Sequence, residues 1–294
     1  MELSLRKRFL PSVLAFCFAA LSLGGCQKQN AASATKDTQP SSTDSSESQK
    51  SSKSTAEDAY IHVDTAGKKL VALTFDDGPN QYLPEYLALF REYGWHCTFF
   101  VLGGYVADTA YTQTLLDCVN AGMEFANHSY SHKNFTDLRD EEIQEELQTT
   151  ENLIQLATKR KATVRCARLP TMLGNERVYN AAKSFGYVWV GSVRYDIGDG
   201  GGFENKTPSS EIAKKILESV YDGAIYCLHV APNTLEALKQ EVLPALKEKG
   251  YACVTVSEIL AAKGADKLPD NYSIRDAYLA DTDEQVAANM KKYQ

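Results

Sequence analysis

Short apolar runs alternate with longer helix-like segments over most of this chain, and the alternation restricts the folds that it can adopt. Runs of this length and composition are typical of buried β-strands. Strands that are separated by helices pair in parallel through crossover connections. Seven strands are predicted, at residues 70–75, 98–102, 123–126, 163–167, 187–190, 224–228 and 251–256.

The segments between these runs are predicted to be mostly helical, which makes the fold class α/β. Loops of ordinary length then connect each helix to the strands on either side. The predicted helices are 83–93, 111–121, 141–157, 178–185, 209–220 and 235–249.

The N-terminal residues 1–25 have the organisation of a secretory signal peptide, with a basic cluster at 6–8 and an apolar stretch at 9–23. The apolar stretch is short for a membrane span. Its end, Leu-Gly-Gly-Cys, resembles the bacterial lipoprotein signal, which implies a lipid on Cys26. A plain signal peptide with an incidental cysteine is the alternative. We therefore expect the protein at the extracytoplasmic face of a bacterial cell membrane.

Two further segments lie outside the predicted folded domain, which spans residues 59–262. Residues 26–58 are rich in Ser, Thr, Lys and Gln and are predicted to be a disordered tether, because they have too little apolar surface to form a core. Residues 263–294 are polar and weakly periodic, and we interpret them as a peripheral tail.

The charge and the cysteines exclude several classes of protein. The net charge of −7 argues against a nucleic-acid partner, which requires a basic face. The cysteines contain no CxxC pair and are widely spaced, so buried thiols are favoured over a zinc ribbon, although one disulfide stays open. We expect a monomer.

The segment LTFDDGP at 73–79 ends an apolar strand in two adjacent carboxylates, Asp76 and Asp77. Active sites of barrel enzymes lie at such strand ends. Neighbouring carboxylates can take different roles when burial, a cation or a metal acts on them unequally. An ordinary turn is the alternative, because Asp, Gly and Pro are turn formers.

The segment NHSYSH at 127–132 directly follows another predicted strand. If it is helical, the spacing of four residues places His128 and His132 on one face, within reach of one metal ion. Two histidines and one carboxylate leave coordination positions open for water and substrate. Taken alone, such a pair is usually two surface histidines.

Together, TFDDGP and HSYSH resemble the hallmark motifs of the polysaccharide deacetylase family, the NodB homology domain of the carbohydrate esterases. The resemblance runs from about residue 64 to residue 262. It implies a distorted barrel of about seven parallel strands with the site at their C-terminal ends. It also implies that Asp76 is the catalytic base, and that Asp77, His128 and His132 hold a divalent metal, zinc first, with cobalt or nickel as alternatives.

The third and fourth family motifs are only partly matched. In the third, the resemblance implies that Arg168 orients the base and that the backbone N–H of Thr171 stabilises the oxyanion, although the family's Tyr and Gly are missing. A structural arginine is the alternative. In the fourth, Asp196 is expected to orient the acid histidine. Asp199 lies close enough in sequence to compete for that role.

The fifth motif ends a strand in Cys227-Leu228-His229, with cysteine where the family usually has leucine. The resemblance implies that His229 is the general acid. A solvated strand-end histidine is the alternative. Cys227 and Ile197 are expected to shape the pocket for the acetyl methyl group, so the specificity could differ from that of typical members.

The function that the resemblance implies is removal of N-acetyl groups from a cell-envelope polysaccharide, with peptidoglycan favoured. Metal-bound water attacks the acetyl group, Asp76 acts as base and His229 as acid. Two alternatives stay open. One is a catalytically weak glycan-binding lipoprotein on the same fold, which the eroded third and fourth motifs favour; the other is an O-acetyl esterase.

Overall fold

The computed structural model describes residues 65–194, 197–200 and 206–262. Within them, all seven predicted strands are present, and every strand pairing is parallel. The strands are β1 (Leu70–Gly78), β2 (Thr98–Val101), β3 (Glu124–Asn127), β4 (Cys166–Ala167), β5 (Val188–Trp189), β6 (Ile225–His229) and β7 (Ala252–Cys253).

Helices cover the connections between the strands, as the alternation predicts. They are α1 (Leu83–Tyr93), α2 (Gly103–Val106), α3 (Thr112–Asn120), α4 (Asp140–Ala157), α5 (Glu176–Ala181), α6 (Ser209–Glu218), α7 (Pro232–Ala237), α8 (Leu243–Glu248) and α9 (Val256–Ala261). A π-helical turn, Leu238–Val242, joins α7 to α8, so the predicted helix 235–249 is a continuous but irregular segment.

The strand order is β5-β4-β3-β2-β1-β6, with β7 paired to the first residues of β1. The chain after β5 reaches across to β6 at the open side of this sheet. There the N–H of Val193 donates to the carbonyl of Ile225 at 2.9 Å, and Ser192 Oγ accepts from the N–H of Cys227 at 3.0 Å. The predicted distorted barrel is thus confirmed, with a hydrogen-bonded segment in place of strand pairing at its seam.

An aromatic cluster fixes β1 against α1 and β2. The Phe75 ring lies 4.9 Å from that of Tyr86 and 5.6 Å from that of Phe99, and all three side chains are fully buried. Burial of each such side chain contributes about 1.5–3 kcal/mol. The Tyr86 hydroxyl also donates to the carbonyl of Ala231 at 2.9 Å, which ties α1 to the chain leaving β6. These contacts hold the C-terminal ends of β1 and β6 side by side.

Several predicted strand boundaries are wrong; β4, for example, begins at Cys166 and not at residue 163. The strand predicted at 251–256 ends early, because Thr255 begins α9 with a capping box. Its side chain accepts from the N–H of Glu258 at 3.0 Å, while the Glu258 carboxylate accepts from the N–H of Thr255 at 2.8 Å. Two backbone N–H groups at the start of the helix thus gain hydrogen-bond acceptors, which favours a helix over a longer strand.

The cysteines in the described part of the chain are unpaired, as predicted. Four are buried, and Cys227 is half-buried. Across the described residues, none of the helices has the length and apolar character needed to cross a membrane. The predicted signal peptide 1–25, the lipidated Cys26, the tether 26–58, the tail 263–294 and Asp196 lie outside the described residues.

Candidate active site

Two carboxylates reach one site from the end of β1. Adjacent residues of a regular strand point to opposite faces. Here the pairing of β1 with β2 shifts register between Asp76 and Gly78, and Asp77 has φ 64°. As a result Asp76 Oδ2 lies 3.5 Å and Asp77 Oδ1 3.6 Å from the same atom, Nε2 of His128.

The two histidines are brought together by a turn and not by the helix that would also place them on one face. Asn127 Oδ1 accepts from the N–H of Ser129, and Ser129 Oγ accepts from the N–H of His132. Such side-chain bonds offer the backbone an alternative to helical hydrogen bonding. Ser129 and His132 have φ 71° and 59°, and the rings of His128 and His132 lie 5.0 Å apart.

Helix α4 holds this turn from outside. The carboxylate of Glu146 accepts hydrogen bonds from the N–H groups of Tyr130 and Ser131, each at 2.8 Å, and from the Ser131 hydroxyl. Hydrogen bonds to a charged acceptor are stronger than neutral ones. Glu146 therefore holds Tyr130 and Ser131, two of the residues that lie between the two histidines.

Asp77, His128 and His132 form a cluster whose free ligand atoms face one another. Asp77 Oδ1 lies 3.6 Å from His128 Nε2 and 3.4 Å from His132 Nε2. His128 Nδ1 lies 2.9 Å from the carbonyl of Arg168, which can only accept. Nδ1 must therefore carry the proton, and Nε2 presents its lone pair to the site.

This cluster fits a divalent metal ion. Asp77 Oδ1 is buried without a hydrogen-bond partner, although a buried polar atom is normally paired. The three ligand atoms all lie within 4.8 Å of one another. Burial lowers the pKa of His128 and so favours the neutral imidazole that metal binding requires. A cation between these atoms would satisfy all of them.

Arg168 holds the carboxylate of Asp76 in place. Its guanidinium donates to Asp76 Oδ1 at 2.5 Å and to the carbonyls of Val190 and Gly191 at 3.2 and 3.0 Å, and it lies 4.0 Å from the centre of the Phe100 ring. Both charged side chains are almost fully buried. The contact expected between Arg168 and the Asp76 carboxylate is present in the structure.

These surroundings keep Asp76 ionised. Burial alone raises the pKa of a carboxyl group. The charges of Arg168 and His229, together with a hydrogen bond from the Cys227 thiol, outweigh the burial and lower the pKa of Asp76 below its usual value. An ionised, fixed carboxylate is suited to accept a proton.

Cys227 contacts this carboxylate directly. Its Sγ lies 3.2 Å from Asp76 Oδ2, so the residue expected to shape a methyl pocket also donates to the base. Ile197, the other expected pocket residue, is buried in the main hydrophobic cluster.

His229 is held by Asp199. Asp199 Oδ1 lies 3.1 Å from His229 Nδ1, and Asp199 Oδ2 accepts from the His229 N–H at 2.8 Å. The sequence favoured Asp196 for this role, but Asp196 lies outside the described residues, and the carboxylate that contacts His229 is Asp199. The remaining ring nitrogen of His229, Nε2, lies 3.8 Å from Asp77 Oδ2.

The carboxylates around His229 favour its protonated form. Burial alone would lower the pKa of His229, but the charges of Asp199, Asp76 and Asp77 and the hydrogen bond that His229 donates to Asp199 raise the pKa to about 9. The ring can therefore donate a proton at neutral pH.

Two neighbours of this pair were not found from the sequence. The Thr234 hydroxyl donates to Asp199 Oδ2 at 3.0 Å, and nothing in the sequence around Thr234 signals a role. At Gly200, a Cβ atom would lie 3.3 Å from the His229 ring. The absence of a side chain at Gly200 thus keeps the space beside the His229 ring open.

Thr171 lies in the turn that follows β4, at the same edge of the sheet. It has φ 54°, and the next residue, Met172, has φ 56°. The Met172 N–H donates to Leu169, but within the described residues the Thr171 N–H donates to no carbonyl. It is therefore available to a bound ligand.

Comparisons with known proteins agree with this geometry. Residues 63–190 match the model of the polysaccharide deacetylase family. The peptidoglycan-N-acetylglucosamine deacetylase of Bacillus cereus is 32% identical over 202 residues, which are 67% of this chain and 90% of that protein. The chain spans between 32% and 90% of the length of the first curated relatives that it matches.

Two solved structures show the same fold. A family 4 acetyl xylan esterase from Clostridium thermocellum in complex with a cobalt ion is 29% identical with a TM-score of 0.61, over 73% of this chain and 99% of that one. A pseudoenzyme of the same esterase family from Bacillus anthracis is 28% identical with a TM-score of 0.59, over 66% of each chain.

The fold and the two carboxylate and histidine motifs are those of the carbohydrate esterases with a NodB homology domain. The chain belongs to the polysaccharide deacetylase family.

Proposed function

We propose that this protein removes N-acetyl groups from a cell-envelope polysaccharide, with peptidoglycan as the favoured substrate. The observation that carries the proposal is the placement of an ionised carboxylate, Asp76, and a protonated imidazole, His229, around one cluster of metal ligands. The similarity to a peptidoglycan deacetylase supports the choice of polymer.

Asp77, His128 and His132 would hold the metal. When bound, a divalent cation polarises the acetyl carbonyl and lowers the pKa of water from about 15.7 toward about 7. One carboxylate oxygen and two imidazole nitrogens form a ligand set that zinc binds with an open position. We favour zinc, while cobalt and nickel suit the same ligands.

Asp76 would act as the base. Arg168 holds one carboxylate oxygen, which leaves the second, Oδ2, facing the metal ligands. That oxygen can take the proton of the attacking water, while the Arg168 charge keeps the carboxylate ionised before each turnover. General base catalysis of this kind contributes about 100-fold to 10,000-fold.

His229 would act as the acid, because Asp199 fixes its Nδ1 and turns Nε2 toward the site. From Nε2 it can protonate the departing amine, so that acetate and a free amino sugar are released. The Thr171 N–H, which donates to no carbonyl of the described residues, would stabilise the oxyanion.

The variant Asp76→Asn tests this assignment against the glycan-binding alternative. We expect acetate release from peptidoglycan to fall about 100-fold to 10,000-fold, while polymer binding and bound metal are retained. Asp140→Asn is the matched control, since Asp140 pairs with Arg177 on the surface. Unchanged acetate release in Asp76→Asn would refute the mechanism. A wild-type protein that binds zinc and polymer but releases no acetate would instead favour the glycan-binding protein.

The O-acetyl esterase alternative is decided by substrate comparison. The same preparation should be assayed on N-acetylated peptidoglycan and on O-acetylated xylan. We expect the amide substrate to be turned over with the higher kcat/KM, because His229 supplies the proton that an amine leaving group requires and an alkoxide requires less. A higher kcat/KM on the ester would reverse the assignment.

We further propose that Cys26 carries a lipid that anchors the protein at the extracytoplasmic face of the membrane. The basic cluster, apolar stretch and Leu-Gly-Gly-Cys sequence of residues 1–26 support this. Expressed in a bacterial host, the wild type should sediment with membranes and Cys26→Ser should not. Equal sedimentation of both proteins would contradict the anchor.

A further inference from the structure

A second group of ligand atoms lies beside the metal cluster and includes a thiol. Asp76, Cys227 and His229 each offer one ligand atom, and these atoms lie within 4.8 Å of one another. The closest approach, between Cys227 Sγ and Asp76 Oδ2, is 3.2 Å. Nothing in the proposed deacetylation requires sulfur at this place.

The remaining ligand atoms of Asp76 and His229 lie near the Cys227 thiol, and the other polar atom of each side chain is bonded elsewhere. Arg168 takes Asp76 Oδ1, which leaves Oδ2. Asp199 takes Nδ1 of His229, which leaves Nε2. A carboxylate oxygen, an imidazole nitrogen and sulfur therefore converge, and the contact between the Cys227 thiol and Asp76 Oδ2 lies within the group.

The backbone presets this arrangement. Cys227 and His229 are two residues apart on β6, so their side chains project from the same face of the sheet. In the parallel pairing of β1 with β6, Asp76 lies opposite His229. Three ligands on two paired strands need little rearrangement to converge on one ion.

We propose that Asp76, Cys227 and His229 form a second, inhibitory site for a thiophilic divalent cation such as Zn²⁺ or Cd²⁺. Thiolate, carboxylate and imidazole are a zinc ligand set, and soft sulfur selects such cations over magnesium or manganese. Binding displaces the thiol and imidazolium protons to solvent, and the resulting two negative charges neutralise the dication.

The two sites are adjacent without sharing a ligand. Asp76 Oδ2 lies 3.5 Å from His128 Nε2, and His229 Nε2 lies 3.8 Å from Asp77 Oδ2. Protein sites with two metal ions about 3.5–4 Å apart are common. Each ion would therefore have three ligands of its own.

The second ion would inhibit because it occupies the base and the acid together. This effect rests on the proposed function, but the binding itself does not. Low zinc would activate the enzyme through Asp77, His128 and His132, while excess zinc would stop it through the thiol site.

Cadmium titration of the full chain, with the first site loaded with zinc, tests the proposal. The thiolate-to-metal charge-transfer absorption and the number of bound ions are measured for the wild type, Cys227→Ala and Cys118→Ala. Cys118 is a buried thiol of α3, and it serves as the matched control.

We expect the wild type and Cys118→Ala to show the band, one additional bound ion and inhibition. Cys227→Ala should lose the band and the ion, and its inhibition constant for cadmium should rise by at least about 10-fold, since even outer-sphere partners contribute that much to metal affinity. Magnesium should neither inhibit the wild type nor produce the band.

The variant Asp77→Ala separates the two sites, because it removes a ligand of the first site alone. The band should persist in it. An identical band in the wild type and Cys227→Ala, or its loss in Asp77→Ala, would overturn the proposal. These spectra decide the question even if the wild type releases no acetate from any polymer.

Discussion

Two neighbouring groups of residues in the site are built in opposite ways. The metal-ligand cluster consists of Asp77, His128 and His132, and the proposed acid–base network consists of Asp76, Arg168, Asp199 and His229. In the cluster, the side chains of Asp77 and His132 are 41% and 34% exposed, and the buried Asp77 Oδ1 has no hydrogen-bond partner. Both residues have left-handed backbone angles. The cluster is therefore a strained, incomplete arrangement without a cation.

In the acid–base network, by contrast, the protein satisfies its own charges. The Arg168 guanidinium bonds Asp76 and two carbonyls, and Asp199 bonds His229 through both carboxylate oxygens. Asp76, Arg168 and Asp199 are all nearly fully buried. Changes in this network should thus affect folding and pH dependence, whereas changes in the cluster should affect metal affinity.

The largest effect is expected from Asp77→Asn in the cluster. Loss of the metal removes several kcal/mol of transition-state stabilisation, so acetate release should fall about 1,000-fold or more. The free energy of unfolding of the metal-free protein should not decrease, because the replaced oxygen has no partner. Acetate release, bound metal and denaturant unfolding check this.

His96→Ala is the control for that experiment, since His96 pairs with Glu258 on the surface. Its metal content should match the wild type. If metal-free Asp77→Asn were clearly less stable than the metal-free wild type, the contrast between the two regions would fail.

In the network, Arg168→Met should cost about 3–5 kcal/mol of unfolding free energy, because it leaves the buried charge of Asp76 unpaired. The surface pair of Arg177 and Asp140 provides the control, and Arg177→Met should cost about 0–1 kcal/mol. Urea unfolding measures both. Equal losses of unfolding free energy in the two variants would show that the buried pair stabilises the fold no more than the surface pair does.

Asp199→Asn should reduce kcat by about 10-fold to 100-fold, less than complete loss of the acid would. Asp199 raises the pKa of His229, and the acid form is present below that pKa. Removing the charge lowers the pKa, so the alkaline limb of the pH-rate profile should move to lower pH. If the alkaline limb of the Asp199→Asn profile stayed at the wild-type pH, Asp199 would not control the pKa of His229.

The smallest effect is expected from Thr234→Val, which removes one hydrogen bond to Asp199. A single such bond contributes about 1 kcal/mol, or about fivefold in kcat. Thr158→Val is the control, because Thr158 donates to the carbonyl of Ile154 within its own helix turn. A loss in Thr234→Val no larger than in this control would exclude Thr234 from positioning the acid.

The strands and the clustering of Asp77, His128 and His132 could be predicted from sequence because their signals are local. Apolar runs mark the strands, and Asp77, His128 and His132 lie within two short motifs. The turn geometry of 127–132 was not predictable from the spacing alone. It depends on side-chain bonds from Asn127 and Ser129, which compete with helix formation.

The partner of His229 could not be chosen from the sequence for a different reason. Asp196 and Asp199 are three residues apart in a segment without helical or strand periodicity, so nothing local indicates which carboxylate turns inward. That choice depends on long-range contacts. Thr234, which also bonds Asp199, lies 35 residues further along the chain.

The seam of the barrel has a consequence for how this domain tolerates change. Residues 190–193 close the sheet against β6 through Ser192 and Val193, and the two carbonyls that hold Arg168 belong to Val190 and Gly191. The same four residues thus close the barrel and hold the guanidinium of Arg168. An inserted or deleted residue there would weaken the contact with β6 and also displace Arg168, which positions Asp76. Such a change in the barrel would therefore be detected first as a loss of activity.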